Sequence, residues 1–263
     1  MRYARRYVVS VLVAGAFLVL PGCQTGSVQP QTPGTLRVLT YNIHHGEGMD
    51  KQFDYRRLAK VINDLSPDLV ALQEVDVGTE RASGVDQAAL LGRLCQMHYA
   101  FGQAMPYQGG WYGDTVLSRF PIEKLLVHPL PYQFEQEPRA AVEVRLRPEG
   151  LGPLAFVSTH LCHQKSENRL QQTQRLSRLF SKQEGGPVIL AGDFNARPGS
   201  EPMKVLFDAG WIDTVAPRSA IDYVLVRPVD PWKVKEVTVV DAPVVSDHKP
   251  VLVVFQWQGR PQS

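Results

Sequence analysis

Acids and carboxamides stand at the tips of four apolar runs in this chain. Leu36–Asn42 ends on Asn42, and Leu69–Glu74 ends on Glu74. The run Pro187-Val188-Ile189-Leu190-Ala191-Gly192 leads into Asp193, with Asn195 two residues on. Asp247 and His248 directly precede the run Val251–Val254. These residues offer hard oxygen donors, the kind that bind Mg²⁺, beside a histidine that can exchange a proton near neutral pH. That combination is what metal-assisted chemistry at a phosphate needs. In extended backbone a spacing of two points both side chains the same way, so Asp193 and Asn195 suit action on one group. Taken singly, each motif is also what an ordinary turn contains.

The elements that would hold these residues follow from periodicity. Leu36–Asn42 and Leu69–Glu74 are apolar to their tips and read as buried strands. Between them Asp54 caps a predicted helix through Asp64, with Leu58, Val61, Ile62 and Leu65 on one face, and Pro67 beyond it. Asp86 caps a second helix through Met97. Trp111–Leu117, Ile122–Leu130, Ala140–Leu146 and Leu154–His160 read as strands. Most of their connections are too short for a helix, which predicts antiparallel neighbours. Ser166–Gln183 reads as a long helix, Pro187–Ala191 as a strand and Glu201–Ala209 as a short helix. Tyr223–Val226, Val234–Val240 and Val251–Trp257 complete the strands. Mixed strands with interspersed helices predict two packed sheets with helices outside them.

Residues 1–23 stand apart. Arg2, Arg5 and Arg6 precede a short apolar stretch from Val8 to Leu20, and Leu20-Pro21-Gly22-Cys23 looks like a bacterial lipobox with Cys23 as the acylated residue. An ordinary signal peptide or an uncleaved anchor is the alternative. Residues 24–35, rich in Gln, Pro, Gly and Thr, read as a flexible tether, and residues 36–258 as one domain. The chain has 28 basic and 26 acidic side chains; without the three leader arginines it carries one net negative charge. That is no footprint for a long polyanion. Two cysteines outside the leader, Cys95 and Cys162, make no disulfide scaffold, and Cys162 reads as a buried structural thiol.

The motifs in their order, Asn42, then Gln73-Glu74, Gly192-Asp193-Phe194-Asn195 and Ser246-Asp247-His248, make a combination far more specific than any one of them. Over about Leu36 to Phe255 the sequence resembles the endonuclease/exonuclease/phosphatase family of DNase-like, metal-dependent phosphohydrolases. The resemblance implies a four-layer α/β/β/α sandwich of two packed mixed sheets with outer helices. It implies a metal set of Glu74, Asn42 and Asp247, with Mg²⁺ as the ion or Mn²⁺ in its place. It implies that Asp193 and Asn195 align the attacking water and bind phosphoryl oxygens. His248 is the implied catalytic histidine, oriented by Asp222 in Ile221-Asp222-Tyr223, and His160 is a second histidine near the scissile phosphate. His44, His45 and His163 match nothing essential, and their spacing is not a recognised zinc pattern. Asp114 stands where the family usually has Asn, and Ala220 where an arginine often precedes Ile-Asp-Tyr.

The expected function is a Mg²⁺-dependent phosphodiesterase or phosphatase at the bacterial cell envelope, tethered to the membrane through Cys23 and acting as a monomer. A small phosphoester or a lipid headgroup is favoured over DNA, with Arg81, Arg139, Lys165 and Arg197 as candidates for a phosphate groove. The alternatives are an extracellular or periplasmic nuclease and, from another class, a catalytically inactive binding lipoprotein. The second would require a missing ligand or histidine, and none is missing.

Overall fold

The computed structural model describes residues 34–181, 186–227 and 232–258. The leader, most of the tether and the lipobox Cys23 lie outside the described residues. In chain order the elements are β1 (Thr35–Asn42), α1 (Tyr55–Leu65), β2 (Leu69–Val77), α2 (Gln87–Cys95), β3 (His98–Tyr107), β4 (Gly110–Ser118), β5 (Ile122–Pro129), β6 (Ala140–Leu146), β7 (Leu154–His160), α3 (Ser166–Leu179), β8 (Val188–Asp193), α4 (Glu201–Asp208), β9 (Ile212–Asp213), β10 (Asp222–Val226), β11 (Trp232–Val239) and β12 (Val251–Trp257).

The strands form two six-stranded sheets, ordered β11-β12-β1-β2-β4-β3 and β5-β6-β7-β8-β10-β9. Each sheet has one parallel pair near its centre, β1 with β2 and β7 with β8. Those are the two pairs joined through a helix, α1 and α3, because a parallel return needs a crossover. Every other pair is antiparallel. Both parallel units run to one rim, where the C-terminal tips of β1, β7 and β8 supply Asn42, His160 and Asp193, and β2 supplies Glu74 three residues before its end.

Side-chain alternation builds the layers. Leu36 and Val38 of β1 face the space between the sheets with Phe156, Ile189, Val253 and Phe255. Leu39 and Tyr41 face the other way, under Leu58 and Ile62 of α1 and Leu91 of α2. On the far side, Val157 and Leu190 pack beneath Leu176 and Phe180, with Met203 and Leu206 of α4. The result is the four-layer α/β/β/α sandwich that the sequence predicts. With both faces covered, the central strands are apolar almost throughout.

Differences sit at edges and ends. β3 is not foreshadowed by the sequence, since Gly102 and Pro106 interrupt its pattern. It lies at the edge of the first sheet, where a missing N–H is tolerated. Asp54 and Asp86 cap α1 and α2 as expected, accepting from the N–H groups of Arg57 and Ala89. The second helix stops at Cys95 because Gln96 turns left-handed, and the third stops at Leu179 rather than Gln183. No helix among the described residues is long and apolar enough to cross a membrane.

Candidate active site

The rim is built from strand ends bent out of regular geometry. On β2 the register against β4 slips between Leu72 and Val75, which is a β-bulge, and Glu74 lies in it with a φ of 60°. A bulge re-aims a side chain that strand geometry would bury. Here it turns Glu74 into an open cleft of about 420 Å³, while Gln73 stays inside and donates to Ser158 across the sheets at 3.1 Å. β8 ends through Gly192. A Cβ there would stand 1.9 Å from the carbonyl oxygen of Thr159, its parallel neighbour, so only glycine lets β8 approach β7 and place Asp193 beside His160. Asn195 follows with a φ of 49°, its N–H donating to Asp193 Oδ1 at 2.8 Å. Left-handed conformations of non-glycine residues cost energy and cluster where a site demands them.

Asn42 ties the two sheets' acids together. Its amide nitrogen donates to Glu74 Oε1 and to Asp193 Oδ2, each at 3.1 Å. Its oxygen accepts from the backbone N–H of His44 at 3.0 Å. Asn42 is therefore an orienting bridge between the two carboxylates, buried beneath the cleft, and its oxygen keeps a second lone pair. Glu74 and Asp247 line the cleft itself, with Asp247 exposed at its mouth.

Two histidines flank Asp193. His248 approaches Asp193 Oδ2 through Nε2 at 3.5 Å, while its Nδ1 lies 3.0 and 3.2 Å from the oxygens of Asp222. Burial disfavours the charged imidazolium, but the hydrogen bond and charge of Asp222, with Asp193 and Asp247, lift its pKa to about 9. His160 lies on the other side, with Nε2 3.4 Å from Asp193 Oδ2 and the Asn195 amide 3.0 Å away. Arg139 and the Asn195 amide nitrogen can only donate, so both ring nitrogens of His160 face donors, Nδ1 at 2.9 Å and Nε2 at 3.0 Å, surroundings that oppose a charged imidazolium. Burial, and then the Arg139 charge, hold His160 well below the usual histidine range. One histidine is thus a cation at neutral pH and the other is not.

The acids are mismatched to their surroundings. Burial and then the neighbouring charge of Asp222 push Asp193 up, only partly offset by His248, the Asn195 N–H and Asn42. Glu74 is held well below the usual carboxylate range: burial raises it, but the His45 hydrogen bond, the neighbouring His160 and the Asn42 hydrogen bond together outweigh that effect. Among the described residues, no lysine or arginine pairs with Glu74, Asp193 or Asp247. Glu74, Asp193 and Asp247 line one cleft with histidines but no lysine or arginine against them, which leaves hard oxygen donors for a divalent cation. A tight group of possible ligand atoms comprises Asp193, Asp222 and His248, within 4.8 Å of one another.

All the residues expected at the site are brought to this rim, although Asn42 and Asp222 support it from behind. Of the four basic candidates, Arg81 and Arg139 line the cleft, and Lys165 and Arg197 do not. Asp114 lies beneath the cleft rather than on it, 4% exposed, and its carboxyl is driven far up by burial against a partial offset from Arg139. His163 faces Glu137 and Arg139 and does not join His44 and His45. Cys162 is a buried free thiol near Gln136 and Asn168. Sequence reading did not single out Tyr112. Its hydroxyl lies 3.5 Å from His160 Nδ1 and accepts from Arg139 at 3.2 Å. Its alternation with Asp114 on β4 was the available signal.

The profile of the Endonuclease/Exonuclease/phosphatase family matches residues 39–248, the span from β1 to the rim histidine. The chain belongs to this family. The uncharacterized protein YbhP of Escherichia coli K12 is 28% identical over 182 residues, covering 65% of this chain and 72% of YbhP. The crystal structure of an endonuclease/exonuclease/phosphatase from Beutenbergia cavernae superposes with a TM-score of 0.72 at 26% identity, covering 87% of this chain and 73% of that one. The inositol phosphosphingolipids phospholipase C of Saccharomyces cerevisiae is 26% identical over 171 residues, which are 56% of this chain and 34% of the yeast protein. Members of the endonuclease/exonuclease/phosphatase family are usually metal-dependent phosphoesterases, and this member retains acidic and histidine groups that could hold a metal.

Proposed function

We propose that this protein hydrolyses a phosphoester by water attack at phosphorus with the help of a divalent cation, Mg²⁺ or Mn²⁺. The observation that carries the proposal is Asp193, a buried acid with a raised pKa set between protonated His248 and neutral His160. Glu74, Asn42 and Asp247 would hold the cation, which when bound neutralises charge on the phosphoryl oxygens. Asn42 keeps Glu74 and Asp193 at a fixed separation. Asp193, with its carboxyl raised toward the operating pH, aligns the attacking water and accepts its proton at Oδ2. Asn195 and His160 line the same cleft beside Asp193 and suit the binding of phosphoryl oxygens. His248, held by Asp222, presents a charged Nε2–H that stabilises the transition state or protonates the leaving oxygen.

The substrate we favour is a small phosphoester or a phospholipid headgroup rather than DNA. The cleft is compact, and its cations, Arg81 and Arg139, are each held on the rim by Asp76 and Glu137. Arg81 also lies 4.5 Å from the ring centre of Tyr107, a wall suited to a planar or alkyl group beyond a phosphate. The likeness to a yeast sphingolipid phospholipase C agrees with a headgroup substrate. The Leu20-Pro21-Gly22-Cys23 motif would place the protein at the envelope as a monomeric lipoprotein, and mass spectrometry of the native protein should show an acylated Cys23 as the first residue.

The deciding experiment is a panel of phosphodiesters, phosphomonoesters, lysolipid and inositol headgroup esters, and DNA, assayed with and without Mg²⁺. Turnover of one of the small esters that disappears in excess EDTA is expected. Full activity in EDTA, or activity on DNA alone, would defeat the reading.

A further inference from the structure

Between β1 and α1 the chain runs His44-His45-Gly46-Glu47 through a single 3₁₀ turn at the mouth of the cleft. One donor atom each of His44, His45 and Glu47 lie within 4.8 Å of one another. We propose that these three side chains form a second cation site, of the two-histidine, one-carboxylate kind, which takes a transition-metal ion such as Zn²⁺. Its ligands differ from the oxygen-rich set of the cleft, to which it is joined through the His45–Glu74 contact. It does not depend on the hydrolytic reading.

The hydrogen bonds of the two rings carry the argument. His44 Nδ1 lies 2.8 Å from the carbonyl oxygen of Glu47. A carbonyl only accepts, so the neutral ring keeps its proton on Nδ1 and leaves the Nε2 lone pair free. His45 Nδ1 faces Glu74 Oε2 at 3.5 Å, a carboxylate that can take the ring proton's hydrogen bond when Nε2 binds a metal. Its Nε2 faces Glu47 Oε2, also at 3.5 Å. Metal-bound histidines characteristically donate their second nitrogen to a backbone carbonyl or a carboxylate. Both partners are in place here, one of each kind, and Glu74–His45 forms the outer half of a carboxylate–histidine–metal arrangement.

The spacing also suits a small ion. Ligands at about 2.05 Å in a tetrahedron stand about 3.3 Å apart. The His45–Glu47 edge is already near that value, and modest closure of His44 completes the triangle. Side chains of His45 and Glu47 are 15% and 24% exposed, so a fourth position remains open to water or to a ligand from the cleft. Imidazole nitrogens favour Zn²⁺ over Mg²⁺, so the two sites sort ions by donor type.

The turn is held in this shape at a conformational cost. His44 and His45 have φ of 48° and 43°, uncommon for residues with a side chain. Buried Gln87 of α2 donates to the His45 carbonyl at 2.6 Å and accepts from the N–H of Asp76 on β2, which pins the turn to the sheet. Lys51 lies 3.8 Å from Glu47, but its side chain is 70% exposed and can leave when a cation arrives.

The test is Zn²⁺ binding to the full chain in detergent, measured by calorimetry with Mg²⁺ in large excess to occupy the oxygen-rich set. The wild type should bind one equivalent. Loss of a supporting partner alone commonly weakens metal binding about 10- to 100-fold, and loss of a ligand no less. His44→Ala and Glu47→Gln should therefore each bind at least about tenfold more weakly. His248→Ala should bind Zn²⁺ as the wild type does. Thermal melts identify a variant that has lost its fold, and either of the two ligand variants suffices for the comparison. No Zn²⁺ bound by the wild type, unchanged affinity in a folded His44→Ala or Glu47→Gln, or loss in His248→Ala instead would each overturn the proposal. Because no substrate is present, failure here is distinct from failure of the hydrolytic reading.

Discussion

Two buried acid–histidine pairs in the second sheet face opposite fates. On β6, Glu143 meets His128 of β5 at 2.7 Å on one oxygen and the Arg145 guanidinium on the other. Burial raises its carboxyl, but His128 and Arg145 outweigh burial and hold it below the ordinary range. Two strands away, Asp193 also meets histidines, yet burial, and then the charge of Asp222 behind His248, push it up. The first pair is electrostatically complete. The second has more negative charge than its own residues neutralise. A structural ion pair closes on itself, whereas a functional one leaves a place for something to arrive.

That contrast breaks most sharply in catalysis. His248→Ala and Asp193→Asn should each cost about 10²–10⁴ in rate on whatever ester the wild type turns over, with an unchanged circular dichroism spectrum. The double variant should lose far less than the product of the two factors, since both groups serve one proton-transfer event. Glu143→Gln should leave the rate within a factor of about two. If the two rim variants kept near-normal rates, the rim would be an incidental cluster.

The next effect tests the close approach that makes the rim possible. Gly192→Ala drives a methyl against the Thr159 carbonyl and must part β7 from β8. We expect a loss of about 3 kcal/mol in chemical denaturation, together with loss of activity. Wild-type stability in this variant would show that the strands have slack.

Cation binding should stabilise the protein through the rim and not through the closed pair. At 100 times its dissociation constant, Mg²⁺ should add about 2.7 kcal/mol to unfolding of the wild type. The increment should shrink in Glu74→Gln and persist in Glu143→Gln. Equal increments in the two variants would place the ion elsewhere.

The smallest effect is a difference in the sign of pH dependence. Glu143, depressed when folded, contributes stability above its unfolded pKa of about 4.3 and loses it as pH falls through the folded value. Glu143→Gln should thus be less stable by about 1 kcal/mol at neutral pH, with the gap closing in acid. Asp193, raised when folded, works the other way. In the metal-free protein it lowers stability as pH rises above about 4. Asp193→Asn, in EDTA, should therefore melt no lower than the wild type at pH 8. Urea titrations at several pH values read both, and parallel profiles for the two variants would erase the distinction.

Much of this was legible without coordinates. Apolar runs ending in acids identified the central strands, because strands covered on both faces must be apolar until they leave the core. Asp54 and Asp86 announced their helices, since a cap is a local interaction between a side chain and N–H groups three residues on. The set Asn42, Glu74, Asp193, Asn195, Asp222, Asp247, His160 and His248 could be named from order and type. β3 could not, because an edge strand half open to solvent leaves only a weak apolar pattern, and here glycine and proline interrupt it.

Tertiary structure alone decided how those residues meet. The chain contains seven histidines, and nothing in their order tells which is charged. That follows from Asp222 lying behind His248 and Arg139 against His160, contacts between residues 26 and 21 positions apart. Nor does the sequence show that Asn42 spends its amide on two acids, one of them 151 residues away, or that Glu74 reaches the cleft through a bulge. Residue types set which chemistry is available, because donors and acids are local properties. Protonation, strain and partnership depend on burial and on neighbours brought in by the packing of two sheets, and these exist only once the chain has folded.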